Sequence, residues 1–163
     1  FQPIWACSLR KRPAVTDLAL TIAHHLLVFG LAAILAAELA SVRPGLAGTG
    51  LKRLGVLDMH YGFVAALILI VGFGRVYWGA KGSDAFLGNW AFWSKVGVFA
   101  LVGLLSILPT LRILQWRRRA RSEPDFALTA ADVAAVRPFM IAEAVLFGLI
   151  PVFAAMMVRG FGQ

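Results

Sequence analysis

Four long apolar runs, separated by short stretches of glycine, proline and charge, set the pattern of this chain. They cover about 17–40, 57–80, 91–116 and 138–158. Each reaches the roughly 20 residues that a helix needs to cross a bilayer. The connections read "VRPGLAGTGLKRLG", "KGSDAFLGN" and "RRRARSEPDFALTAADVAAVR", rich in the residues that stop helices. Connections this short force antiparallel neighbours, so the expected fold is all-α, an integral membrane four-helix bundle running up-down-up-down. Residues 17–163 form one domain, and 1–16 an exposed or interface-lying extension. In the longest connection Thr129 precedes Asp132 at capping distance, which predicts a short interfacial helix before Pro138. Pro109 and Pro151 fall inside the third and fourth runs, where each deletes a backbone hydrogen bond and should kink its helix. Small residues in "GLAAILAAELA" allow close packing of the first helix.

Composition agrees with the pattern. Of 163 residues 60% are hydrophobic and only 15% charged, with a mean hydropathy of +0.80. Soluble domains carry about 25% charged residues. The net charge of +8 does not point to nucleic acid, because the basic residues flank apolar runs, as membrane topology requires. Arg43, Lys52, Arg53, Arg112, Arg117, Arg118, Arg119, Arg121 and Arg137 lie at one end of the threaded bundle. The other end has fewer, namely Arg10, Lys11, Arg12, Arg75, Lys81, Lys95 and Arg159. The majority places both termini outside the cytoplasm. Tyr77, Trp78, Trp90 and Trp93 near the second connection, with Trp116 at the opposite edge, read as an aromatic belt. Cys7 is the lone cysteine, so no intrachain disulfide or cysteine metal cluster is expected.

Ionisable residues within the runs are the functional candidates, since charge in hydrocarbon is costly. Threading sorts them into two layers. His24 and His25 fall level with Arg75 and Lys95, whereas Glu38 falls level with Asp58 and His60, and Glu143 lies near the middle of the fourth run. Fourteen positions separate His24 from Glu38, which leaves them about 40° apart around the helix and roughly 21 Å apart along it. Glu38 must avoid lipid, so His24 is the inward histidine and His25, about 100° away, is the spare. His24 reads either as an axial heme or metal ligand or as an interhelical hydrogen-bonding group. Lys95 reads as a snorkelling lysine or, with Arg75, as the partner of an acid: Glu143, a lipid phosphate or heme propionates. Glu143 is expected to be a structural acid paired with a base, and His60 an interfacial residue. No zinc-protease, phosphate-loop or Ser-His-Asp signature is present.

The segments "DLALTIAHHLLVFGLAAILAAELASVRPGL", "LKRLGVLDMHYGFVAALILIVGFGRVYWGAKG", "FWSKVGVFALVGLLSILPTLRILQWRR" and "AEAVLFGLIPVFAAMMVRGFG" resemble the DUF2214 family of bacterial membrane proteins. That resemblance implies the bacterial inner membrane. A more distant similarity links the chain to CopD-type domains and HemJ-type protoporphyrinogen oxidases. It rests on a histidine early in the first span, a lysine after an aromatic residue in "FWSK" and an acid in the last span. It implies heme b or porphyrin binding through His24 or His25, then Lys95, with Glu143 less directly. The first functional expectation is therefore a redox protein with His24 on the iron and Arg75 and Lys95 on the propionates, exchanging electrons with a quinone or oxidising a porphyrin. The alternative is a non-catalytic accessory subunit packed against a larger membrane complex. A transporter fits less well, because no internal repeat is visible.

Overall fold

The computed structural model describes the backbone of residues 4–78, 88 and 90–159, and the side chains of 15–77, 88, 90, 92–156 and 159. Four helices follow one another: α1 (Ile4–Ser41), α2 (Gly48–Trp78), α3 (Trp90–Ser122) and α4 (Ala130–Val158). Each contains a stretch long and apolar enough to cross a membrane, with mean hydropathy of 2.0 to 2.2. α1 packs mainly on α2 and α3 mainly on α4, and the two hairpins meet through α2–α3 and α1–α4 contacts. Leu26, Phe29, Phe63, Ile70, Leu104 and Val145 remain exposed on the outer faces. In a bilayer such faces meet lipid, and helix association rests on close packing and polar contacts instead.

The helices outrun the apolar runs because their extra turns are amphipathic. α2 starts at Gly48, nine residues before the predicted 57, since Leu51 and Leu54 are buried while Lys52 and Arg53 face outward. α3 continues through "WRRRAR" to Ser122 for the same reason. There Trp116 is only 2% exposed and belongs to the core, which corrects its expected place in an aromatic belt. Tyr77, Trp90 and Trp93 are exposed at the other end, and the side chain of Trp78 lies outside the described residues, as do Cys7 and Lys81. The predicted interfacial helix before Pro138 is also corrected. α4 runs unbroken from Ala130 with Pro138 inside it, because Val133, Val136 and Met140 bury one continuous face. From Ile4 onward the N-terminal extension is helical and continuous with α1.

The end bearing the basic residues is tied by its loops. Gly45 donates to the Leu128 carbonyl at 2.8 Å, and Leu128 donates to Leu46 O at 3.0 Å, framing a bridge between Ala47 and Ala127. Gly45 has φ of 80°, a conformation that side-chain-bearing residues rarely adopt. The start of α4 is closed by reciprocal capping. Asp132 N donates to Thr129 Oγ1 at 3.1 Å, and Thr129 N donates to Asp132 Oδ2 at 3.0 Å.

Two apolar clusters stack along the bundle axis. Val42, Leu51, Leu54, Ile113, Trp116, Val136 and Met140 contribute to the cluster at the basic end. Leu31, Leu35, Tyr61, Ile68, Val102 and Phe147 form the other. The buried acids Glu38, Asp58 and Glu143 fall between these clusters in sequence, and His24, Arg75 and Lys95 fall beyond the second, so the interior is banded.

Candidate functional site

The first polar band separates the two apolar clusters. Glu38 on α1, Asp58 on α2 and Glu143 on α4 are 4%, 8% and 2% exposed. Helical periodicity aims all three inward. Glu38 follows Leu31 and Leu35 on one face, Asp58 follows Leu51 and Leu54, and Glu143 lies three residues beyond Met140. The Tyr61 hydroxyl of α2 donates to Glu143 Oε1. Thr110 Oγ1 of α3 donates to Asp58 Oδ1 at 2.6 Å. Arg117 reaches along α3 toward the same band, with its Nη1 3.5 Å from the Gly55 carbonyl. A side chain at Gly55 would collide with this guanidinium, so glycine is what admits it. Glu38 Oε1 is buried with no hydrogen-bond partner.

Glu143 therefore finds a tyrosine hydroxyl and not the base expected from the sequence. Tyr61 and Thr110 were not among the sequence candidates, although both left a signal. Tyr61 stands three residues after Asp58 on the same helix face, and Thr110 is a polar residue beside Pro109 in an apolar stretch. His60 falls near this depth but takes no part. It is exposed, and its ring nitrogen Nδ1 is 2.7 Å from the Val56 carbonyl of its own helix.

The second polar band lies past the second apolar cluster, toward the α2–α3 connection. His24 of α1, Arg75 of α2 and Lys95 of α3 line one cleft with a cavity volume of about 100 Å³. Its other walls are apolar, with Phe73, Phe92, Phe99 and Phe147 prominent. No carboxylate lines it among the described residues. Gly72 faces the His24 ring so closely that an added Cβ would stand 3.3 Å from Cε1. Lys95 Nζ sits 5.3 Å from the centre of the Phe92 ring, a cation–π distance. Nδ1 of His24 and Nε of Arg75 are buried without hydrogen-bond partners. A buried donor or acceptor left unpaired costs about 1–3 kcal/mol.

His25 stays outside this cleft. It is exposed, and its Nδ1 is 2.7 Å from the Thr21 carbonyl one turn back. The two rings are perpendicular with centroids 6.3 Å apart, as successive positions on one helix dictate. Among the described residues no three histidine, cysteine, aspartate or glutamate side chains are placed to hold a metal ion by themselves. A ligand at His24 would thus draw its remaining contacts from Arg75, Lys95 and the aromatic walls.

The cleft thus brings together an imidazole able to ligate or hydrogen-bond, two cationic side chains and aromatic apolar walls. No curated protein and no solved structure matched the chain. The model of the DUF2214 family, described as a predicted membrane protein, matches residues 16–162. With four membrane-length helices and this match over nearly its whole length, the chain belongs to the DUF2214 family of membrane proteins.

Proposed function

We propose that the cleft between His24, Arg75 and Lys95 binds heme b or a related porphyrin, and that the protein serves a redox role in the membrane. The observation that carries this reading is the convergence of three basic side chains from three helices on one aromatic-lined cleft, with His24 Nδ1 and Arg75 Nε lacking partners. These residues fit the group. His24 would supply a nitrogen ligand, Arg75 and Lys95 would neutralise the propionates, and Phe73, Phe99 and Phe147 would pack against the ring. The cofactor supplies one-electron chemistry when bound, and the protein tunes it through burial and nearby charge. The positive charge of Arg75 and Lys95 would favour the reduced form of the group, the less so the more completely its propionates compensate them. Gly72 keeps the approach to the imidazole clear.

A membrane quinone is the proposed electron partner, since lipid surrounds the cleft-bearing half of the bundle. In this reading the end rich in arginine faces the cytoplasm of a bacterial inner membrane and both termini face the periplasm. An absorption spectrum of the purified protein, before and after dithionite, tests the proposal. A reduced α-band that is lost in His24→Ala and kept in His60→Ala is expected. A protein that stays spectrally silent after reconstitution with heme overturns it.

A further inference from the structure

The carboxyl band is not used by the cleft, and its composition is unusual for the interior of a membrane bundle. Three carboxyl groups from α1, α2 and α4 meet between two apolar clusters, each more than nine-tenths buried. The titratable and charged groups facing Glu38 are Asp58 and Glu143. Around those two stand the Tyr61 hydroxyl of α2 and the Arg117 guanidinium of α3. Among the described residues that is three acids against one cation. Moving a carboxylate from water into such a medium costs several kcal/mol even after relaxation, and like charges add to that cost. Full ionisation of the band is therefore costly.

The hydrogen bonds show where donors are already supplied and where one is missing. Tyr61 supplies Glu143, and Thr110 supplies Asp58. Glu38 is 4% exposed, and its Oε1 is buried with no hydrogen-bond partner among the described residues. A metal ion is a poor occupant, because no three of these acids are arranged to hold one among the described residues. A second cleft, with a cavity volume of about 310 Å³, lies between α2 and α3 and has Asp58, Ser106, Thr110 and Tyr61 in its wall. Gly62, Ala65 and Gly103 keep that seam open.

We propose that Glu38, Asp58 and Glu143 form an intramembrane proton-binding site, loaded and unloaded through the α2–α3 cleft. A proton entering by the cleft is taken up by a carboxylate oxygen of the band, giving a carboxylic acid. Release returns the proton by the same path and restores the carboxylate. Asp58 in the cleft wall is the entry group, and Glu38, which lacks another donor, is the terminal one. Intramembrane acids that serve as proton relays have this setting: facing the interior, beside one another, with few compensating cations. The site is independent of any cofactor at His24, some 20 Å away along α1.

Infrared spectroscopy of the full chain in detergent, titrated with pH in H₂O and D₂O, tests this. The expected result is a carbonyl band of protonated carboxylic acid that shifts in D₂O and bleaches as pH rises. Glu38→Gln and Glu143→Gln should each remove part of it. Tyr61→Phe, which removes the donor to Glu143, should move the bleaching midpoint by about one pH unit, a tenfold change in proton affinity. A band that is absent, or present but unchanged by pH in the unmodified protein, overturns the proposal. So does a band that disappears when sodium or potassium is added at constant pH, which would assign the band to a cation. Spectral silence at the heme wavelengths leaves these outcomes unaffected, so the two proposals fail separately.

Discussion

The two polar bands differ in how they are paired. In the carboxyl band, side chains from all four helices converge, and two of the three acids accept a hydrogen bond from a neighbouring helix. In the basic band, His24, Arg75 and Lys95 converge on a cleft, and among the described residues His24 Nδ1 and Arg75 Nε have no hydrogen-bond partner. Both bands place polarity where it is costly. In the carboxyl band only Glu38 Oε1 is left unpaired among the described residues, whereas the basic band lines a cleft with unpaired nitrogens. The contrast teaches that polar residues within a bundle are not one class. A group paired across helices contributes to the fold, and a group aimed unpaired at a cleft is the one to test for a ligand.

That difference can be broken by mutation. The largest effect is expected from Arg75→Ala combined with Lys95→Ala. Each should weaken binding of an anionic porphyrin by about tenfold, so the pair by about a hundredfold, or ~2.7 kcal/mol. Fluorescence quenching or absorbance titration of the detergent-solubilised protein measures it. Equal affinity in the double variant would remove the basic band from ligand binding. The same double variant should melt no lower than the parent, because it deletes charge that has no counter-ion in the cleft.

Glu143→Ala should do the reverse. It strands the buried Tyr61 hydroxyl and is expected to cost about 1–3 kcal/mol, read as a lower midpoint in thermal unfolding. If Glu143→Ala and Lys95→Ala shift that midpoint alike, the distinction between the bands collapses. The smallest effect is expected at the loop end. Thr129→Ala removes the capping hydroxyl from Asp132 N and should cost about 1 kcal/mol. Ligand binding and the carboxyl infrared band should both stay unchanged. A change in either would mean that the start of α4 is coupled to the interior.

Much of this was legible in the sequence, and the limits have a physical cause. Hydropathy located four spans, because apolar runs near twenty residues have few other uses. Phase along α1 singled out His24 over His25, since 100° per residue separates inward from outward. Antiparallel threading also put His24, Arg75 and Lys95 at one depth. It did not fix which groups touch, because depth says nothing about how neighbouring helices are rotated. Hence Glu143 was assigned a base when its neighbour is Tyr61. Helix ends were misjudged for a related reason. The turns at 48–56, 117–122 and 130–137 are amphipathic, so a measure of average apolarity passes over them while packing holds them in place. Trp116 shows the same limit, since an edge position along the axis did not reveal that its ring turns inward.

The hydrogen bond between Tyr61 and Glu143 joins residues 82 positions apart, which gives it a place in time as well as in space. As the chain emerges, α1 and α2 enter the membrane first, carrying Glu38, Asp58 and Tyr61. The fourth helix, with Glu143, is still to be made. Until it arrives the first hairpin holds acids in the bilayer without the neighbours that surround them in the finished bundle. The second hairpin must then dock against a half that is already charged or protonated. Biogenesis of this protein is thus set to depend on how long the nascent first hairpin is sheltered from lipid, and a truncated chain ending after α2 should be a poor guest of the membrane.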